Sequence, residues 1–220
     1  MIAAWPCADG DEYALAFDRG RKSRLLVLPA LFDEANKTRR LAAETMRRLD
    51  RAGIDSFLPD LPGCNESLAP LEAQTLAGWR AAAVAAANHF GASHVLTIRA
   101  SAILAPAALP GWRYAPTGGA SALRALLRAR VIAAREAGED LTTEGLLETG
   151  RDTGLDLAGY RIGTALIRDL EHAMLADSGR LADIAQGTIG RGPPWLRAEP
   201  DFDPAQADAL AAVLSVGLQP

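Results

Sequence analysis

Three short strand-like runs, the first of them continuously apolar, separated by amphipathic stretches, constrain this 220-residue chain more than any other feature. Arg24-Leu25-Leu26-Val27-Leu28 runs into Pro29, Ile54-Asp55-Ser56-Phe57-Leu58 into Pro59, and His94-Val95-Leu96-Thr97-Ile98 into a turn. A continuous apolar run of this length reads as a strand buried on both faces. Between them, 34–52 places Leu41, Thr45 and Leu49 on one helical face and stops at Gly53, and 71–90 stops at Gly91. Strands alternating with helices fold as βαβ units around a parallel sheet. Ahead of them, Tyr13-Ala14-Leu15-Ala16-Phe17 alternates weakly and predicts an edge strand, in a hairpin with the residues before Asp9-Gly10.

From 112 to 176 the alternation stops. Helices are predicted over 121–137, 142–148 and 160–176. The expected organisation is a helical cap at 112–176 inserted into a core made of 1–111 and 177–220. A strand over 195–199 and a helix over 204–215, with Pro204 in its first turn, complete the reading. Only one helix follows that strand, so the sheet is expected to end short at its C-terminal side.

Composition narrows the function classes. With 49% hydrophobic and 23% charged residues the chain is an ordinary globular one, and at this length roughly 70% of the unfolded surface can be buried. A net charge of −4 argues against nucleic acid, which calls for a basic stripe. The arginines at 39, 40, 47, 48 and 51 read as a solvated helix face. Cys7 and Cys64 form no metal or redox motif, so neither metal nor cofactor is expected. Residues 1–12 carry no signal-like apolar stretch and no run reaches 18 apolar residues, so the expected location is the cytoplasm, without a transmembrane segment.

The third strand opens a strand–turn–helix, His94 to Ala105. In α/β-hydrolases this turn carries a nucleophile flanked two residues either side by small residues, because strand and helix pack closely there. Centring the turn on Arg99 puts Thr97 and Ser101 at the small positions; centring it on Ser101 puts the bulky Arg99 and Ile103 there. The first register is sterically better, and it makes Ser101 a first-turn helix residue. An arginine is always protonated and cannot attack a carbonyl.

Further motifs resemble the same scaffold. Asp60-Leu61-Pro62-Gly63-Cys64-Asn65-Glu66-Ser67 is similar to the loop after a middle hydrolase strand, with Ser67 able to cap the next helix. Glu34-Ala35-Asn36-Lys37-Thr38-Arg39-Arg40 stands where active hydrolases supply an oxyanion amide, without their usual His-Gly pair. It reads either as a polar pocket rim or as a charged first helical turn. With Arg99 to Leu104 and Ala158-Gly159-Tyr160-Arg161, these segments resemble the second type of exosortase A system-associated hydrolases, found with bacterial exopolysaccharide gene clusters. The resemblance spans residues 24–170. It implies an α/β-hydrolase fold, a mostly parallel sheet flanked by helices with a cap, a role linked to exopolysaccharide production, and arginine at the turn as a feature of the group.

The remaining triad members are hard to find. The order in this fold is Ser, then Asp or Glu, then a late His. His89 and His94 precede the turn, His172 falls in the cap, and no histidine follows it. Losing nucleophile or base typically removes about 10⁶ in rate. Two readings therefore stand. In one, the chain is a degenerate hydrolase with a binding or accessory role, and Leu31, Asn36, Lys37 and Arg99 form a site for an anionic small molecule at the cleft mouth. Arg99 equally reads as pairing internally with Asp60, Asp201 or Asp203 and filling the site. In the other, the chain is an esterase or thioesterase using Ser101, with His172 reaching down from the cap and Asp201 or Asp203 orienting it. A homodimer through the shortened sheet edge or the cap is also expected.

Overall fold

The computed structural model describes residues 1–8, 10–175 and 179–218. Asp9 at the expected hairpin turn and residues 176–177 at the expected cap boundary lie outside them. In chain order the first strands and helices are β1 (Ile2–Cys7), β2 (Gly10–Phe17), β3 (Arg24–Leu28), α1 (Asp33–Arg51), β4 (Asp55–Pro59), α2 (Leu76–His89), β5 (His94–Ile98) and β6 (Gly111–Tyr114). They continue as α3 (Gly119–Glu136), α4 (Thr143–Thr153), β7 (Leu155–Leu157), β8 (Tyr160–Ile162), α5 (Thr164–His172), β9 (Leu181–Ile184), α6 (Gln186–Ile189) and α7 (Pro204–Leu218). Seven strands form one sheet in the order β1-β2-β4-β3-β5-β6-β9, antiparallel at the β1–β2–β4 side and parallel from β4 to β9.

The three strand-like runs are the sheet's centre. Leu25 to Leu28 are at most 1% exposed, since helices cover both faces there. On one face α1 buries Leu41, Thr45, Met46 and Leu49, and α7 closes beside it through Ala207, Leu210 and Leu214. Arg48 of α1 pairs with Asp208 of α7, and Ser23 Oγ donates to the Leu218 carbonyl at 2.9 Å. On the other face α2 packs through Ala82, Ala83 and Ala86, whose small side chains let it lie close to the sheet. Thr75 caps α2 by accepting from Gly78 N–H at 2.9 Å. Ser67, expected in that role, instead accepts from Gly63 and Ala69 N–H and donates to Glu12, tying the loop after β4 to β2.

Between β6 and β9 lie three helices and the β7–β8 hairpin. Trp112 to Tyr114, expected to open the helical segment, run as strand β6 instead. The predicted helix over 160–176 begins as strand β8, because Gly159 (φ +84°) turns the chain and Gly163 must pass the Glu72 carbonyl where a Cβ would sit 2.0 Å away. The strand expected at 195–199 is absent. Pro193 and Pro194 lack backbone donors, and Pro194–Leu196 forms a single 3₁₀ turn. The strand that follows the helices is β9, four residues long with only Ile184 buried, too weak an apolar pattern to read from sequence. No helix among the described residues is long and apolar enough to cross a membrane.

Candidate functional site at the strand carboxyl ends

Arg99 occupies the tight turn between β5 and a 3₁₀ segment, Arg99–Leu104, with φ +59°. That left-handed conformation costs a non-glycine residue roughly 1–2 kcal/mol. Thr97 and Ser101 flank it, both 0% exposed. Two neighbouring strands end in the same way. Phe32 after β3 has φ +55° and ψ −134°, and Ala115 after β6 has φ +45°. Three strained non-glycine residues thus lie at the carboxyl ends of three adjacent strands, where open α/β sheets take their ligands.

Three of the five N–H donors of the Arg99 guanidinium are engaged. Nε and one Nη donate to the two Glu34 oxygens at 3.0 and 3.1 Å, and the other Nη donates to the Ala115 carbonyl at 2.8 Å. Its carbon lies 4.2 Å from the Trp195 ring centroid, and Tyr114 meets that indole edge-on at 5.7 Å. The side chains of Arg99 and Glu34 are only 17% and 21% exposed. Arg99 therefore has an internal partner, but the partner is Glu34. Asp60 holds Arg39 and Asn65, Asp201 holds Arg197, and Asp203 holds Arg191. The Glu34 to Arg40 run lies in the first turns of helix α1; of the polar residues read as a rim, Lys37 lines a cavity, while Arg39 turns to Asp60 and Arg40 to the Phe202 ring.

Glu34 and Trp195, the side chains that hold Arg99, also line this cavity of about 270 Å³, which Arg99 itself does not line. Leu31 and Phe32 line it from the β3 end, Ala122, Ala125, Leu126 and Ala129 from α3, and Trp195 with Leu196 from the 3₁₀ turn. Asp33, Glu34 and Lys37 are its charged lining residues, and Lys37 pairs with Asp33 at 2.9 Å. Each charge thus already faces an opposite one. Asn36 stands beside the cleft, its amide donating to Tyr160 Oη at 3.4 Å. A larger cavity of about 520 Å³, lined by Glu72, Thr153, Arg161 and Thr164 among others, shares no residue with the ends of β3, β5 or β6.

The residues of the esterase reading are not brought together. Ser101 Oγ accepts from Ile98 N–H at 2.9 Å, while its hydrogen faces the carbonyls of Ile98 (2.9 Å) and Leu28 (3.0 Å). His172 is the exposed last residue of α5, and Asp201 lies in an exposed loop. No hydrogen bond among the described residues joins any two of them. With β9 as the strand after the helices α3 to α5, the residues at its carboxyl end are Ala185 and Gln186, not Asp201. Gln186 accepts from Tyr114 Oη and donates to the Gly190 and Arg191 carbonyls. Burial pushes the Cys64 thiol up to about 12, with the Asp60 and Glu12 carboxylates adding to the shift. It is therefore no thiolate nucleophile at neutral pH. Sequence reasoning missed the roles of Trp195 and Ala115, since neither lies near Arg99 in the chain. For Glu34 the signal was present, because the loop after β3 faces the turn after β5 in any such sheet.

No protein-family model and no curated protein sequence matches this chain. Solved structures do. Mouse alpha/beta hydrolase domain-containing protein 10 superposes with a TM-score of 0.59 at 11% identity, covering 99% of this chain and 98% of that one. Est1E from Butyrivibrio proteoclasticus, solved with ferulic acid bound, gives 0.54 at 11% identity over 98% and 96%. The chain spans only 61% and 59% of the length of two further matches, from Agrobacterium tumefaciens and Agrobacterium vitis, each with a TM-score of 0.43. The fold is that of the α/β-hydrolases.

Proposed function

We propose that this chain is a catalytically silent α/β-hydrolase-fold protein that holds an uncharged, largely apolar small molecule in the cleft lined by Glu34, Trp195 and the alanines of α3. The accessory role in exopolysaccharide production implied by its motifs belongs to the same reading. The observation that carries it is the Arg99–Glu34 pair: the elbow position holds a permanent cation that is already neutralised, capped by an indole and unable to attack. The buried Ser101 hydroxyl supports it further, being committed to two main-chain carbonyls. An anion at Arg99 meets the Glu34 carboxylate that already neutralises the guanidinium, which makes an uncharged ligand the better match for the alanine face of α3 and the indole of Trp195.

Intact-mass labelling with a reactive fluorophosphonate tests the catalytic half, with Ser101→Ala beside it. No adduct on folded protein is expected. A stoichiometric adduct lost in Ser101→Ala overturns the proposal in favour of a serine esterase. Calorimetric titration with a medium-chain alcohol and the carboxylate of equal length tests the ligand half. The alcohol is expected to bind more tightly, and tighter binding of the carboxylate restores the anion site.

A further inference from the structure

The two ends of the sheet are guarded very differently. At one end β9 carries Asp183, ion-paired to Arg113 of β6, and Arg180 precedes it. Charged side chains on an edge are a common protection against pairing with another chain. At the other end β1, Ile-Ala-Ala-Trp-Pro-Cys, has no charged side chain and, among the described residues, pairs only with β2. Its outer face is uncovered and apolar. Ile2 is 73% exposed, Ala4 and Pro6 are exposed, and Tyr13 of β2, opposite Ala4, is 44% exposed.

The hydrogen-bond register decides what this edge offers. Met1 and Ala16 exchange both main-chain bonds, the Met1 α-ammonium donating at 2.9 Å and Ala16 N–H at 2.8 Å. Alternation in an antiparallel ladder then turns Ala3, Trp5 and Cys7 toward β2, and Ile2, Ala4 and Pro6 outward. Pro6 has no N–H, so a foreign strand that needs three successive donors is refused. A second copy of β1 does not need them. With a twofold axis through Ala4, the two Ala4 residues exchange both bonds, and each Ile2 N–H donates to the Pro6 carbonyl of the other copy. That makes four main-chain bonds, and no donor is called on at Pro6.

We propose that β1 pairs antiparallel with β1 of a second copy, joining two seven-stranded sheets into one of fourteen. Ile2 of one copy then packs against Pro6 of the other on the open face. So short an edge falls at the low end of specific interfaces, below roughly 1,200 Å² in total, so the dimer dissociates in about the micromolar range.

Light scattering across dilution tests this, with two variants at the twofold position. The wild-type chain is expected to pass from dimer to monomer as it is diluted. Ala4→Pro removes two of the four bonds but leaves pairing with β2 intact, because the Ala4 N–H faces away from it. It should weaken dimerisation on the order of tenfold or more, with an unchanged circular dichroism spectrum. Ile2→Lys should act in the same direction without touching the backbone. Ala4→Cys should form a covalent dimer under mild oxidation that wild-type Cys7 and Cys64 do not, since paired α-carbons about 5.5 Å apart suit a disulfide. A wild-type monomer at about 100 μM, far above that range, overturns the proposal. So does a dimer whose dissociation constant is unmoved by both Ala4→Pro and Ile2→Lys, which would place the interface elsewhere, the β9 edge included.

Discussion

Replacing Arg99 by glycine and by alanine separates two effects that the structure superimposes at the elbow. Both changes delete the bidentate bond to Glu34, the bond to the Ala115 carbonyl and the stack on Trp195. An exposed pair contributes about 0–1 kcal/mol and removing one partner of a fully buried pair costs about 3–5 kcal/mol. At 17% and 21% exposure the Arg99–Glu34 pair falls between, near ~2 kcal/mol. The backbone term runs the other way. Alanine keeps the left-handed penalty at φ +59°, whereas glycine removes about 1 kcal/mol of it. Arg99→Gly should therefore be the more stable variant, reversing the usual order of these residues in regular structure. Urea denaturation at pH 7 measures both, and a cycle with Glu34→Gln isolates the pair, with a coupling of about 1–3 kcal/mol expected. A coupling below about 0.5 kcal/mol, the size of non-additivity between unrelated sites, would refute the ion-pair argument. Arg99→Ala more stable than Arg99→Gly would refute the strain argument.

Three further outcomes follow from the packing and the charges. Gly111→Ala should cost more than about 4 kcal/mol or prevent folding, because its Cβ would lie 1.8 Å from the Val95 carbonyl; thermal melting reads this, and a near-wild-type melt contradicts the β5–β6 register. Ser101→Ala should lower stability by about 1–3 kcal/mol in urea, since Ile98 N–H and two carbonyls lose a buried partner, and a neutral result would mean the hydroxyl is free for another role. Arg24 holds the Asp18 carboxyl at about 2, and Arg21 with Arg19 lowers that of Asp50. Folded values below the unfolded ones give stability that is full above about pH 4 and lost as pH falls toward 2. Arg24→Gln should flatten that part of an acid titration of stability, and an unchanged slope would exclude this cluster as its source.

The sequence made the sheet's middle legible because β3, β4 and β5 each bury nearly every side chain, and such a run has few other homes. The same reasoning failed at β9, where two of four residues face water and Asp183 pairs outward. It also read the stretch around Trp195 as strand, although two prolines forbid ladder donors there. At the site, Arg99 stood out because its neighbours Thr97 and Ser101 are small. Its partner was sought among late aspartates because a triad acid comes late in the chain. The nearest carboxylate in space comes from Glu34, sixty-five residues earlier, and only the strand order β3-β5 makes the two adjacent.

The closure of α7 over α1 also bears on how the chain is made. Leu41, Met46 and Leu49 find part of their cover in Leu210 and Leu214, more than 150 residues downstream. During synthesis that side of the sheet stays unsealed from the appearance of α1 until α7 has been translated. Long-range closure of this kind slows folding and leaves apolar surface open to other nascent chains. The alanine-rich helix α2 seals its own face within about sixty residues of β3. A ribosome-bound intermediate should therefore be half finished, with one face set and the other, carrying α1, available to a chaperone until 204–218 arrive.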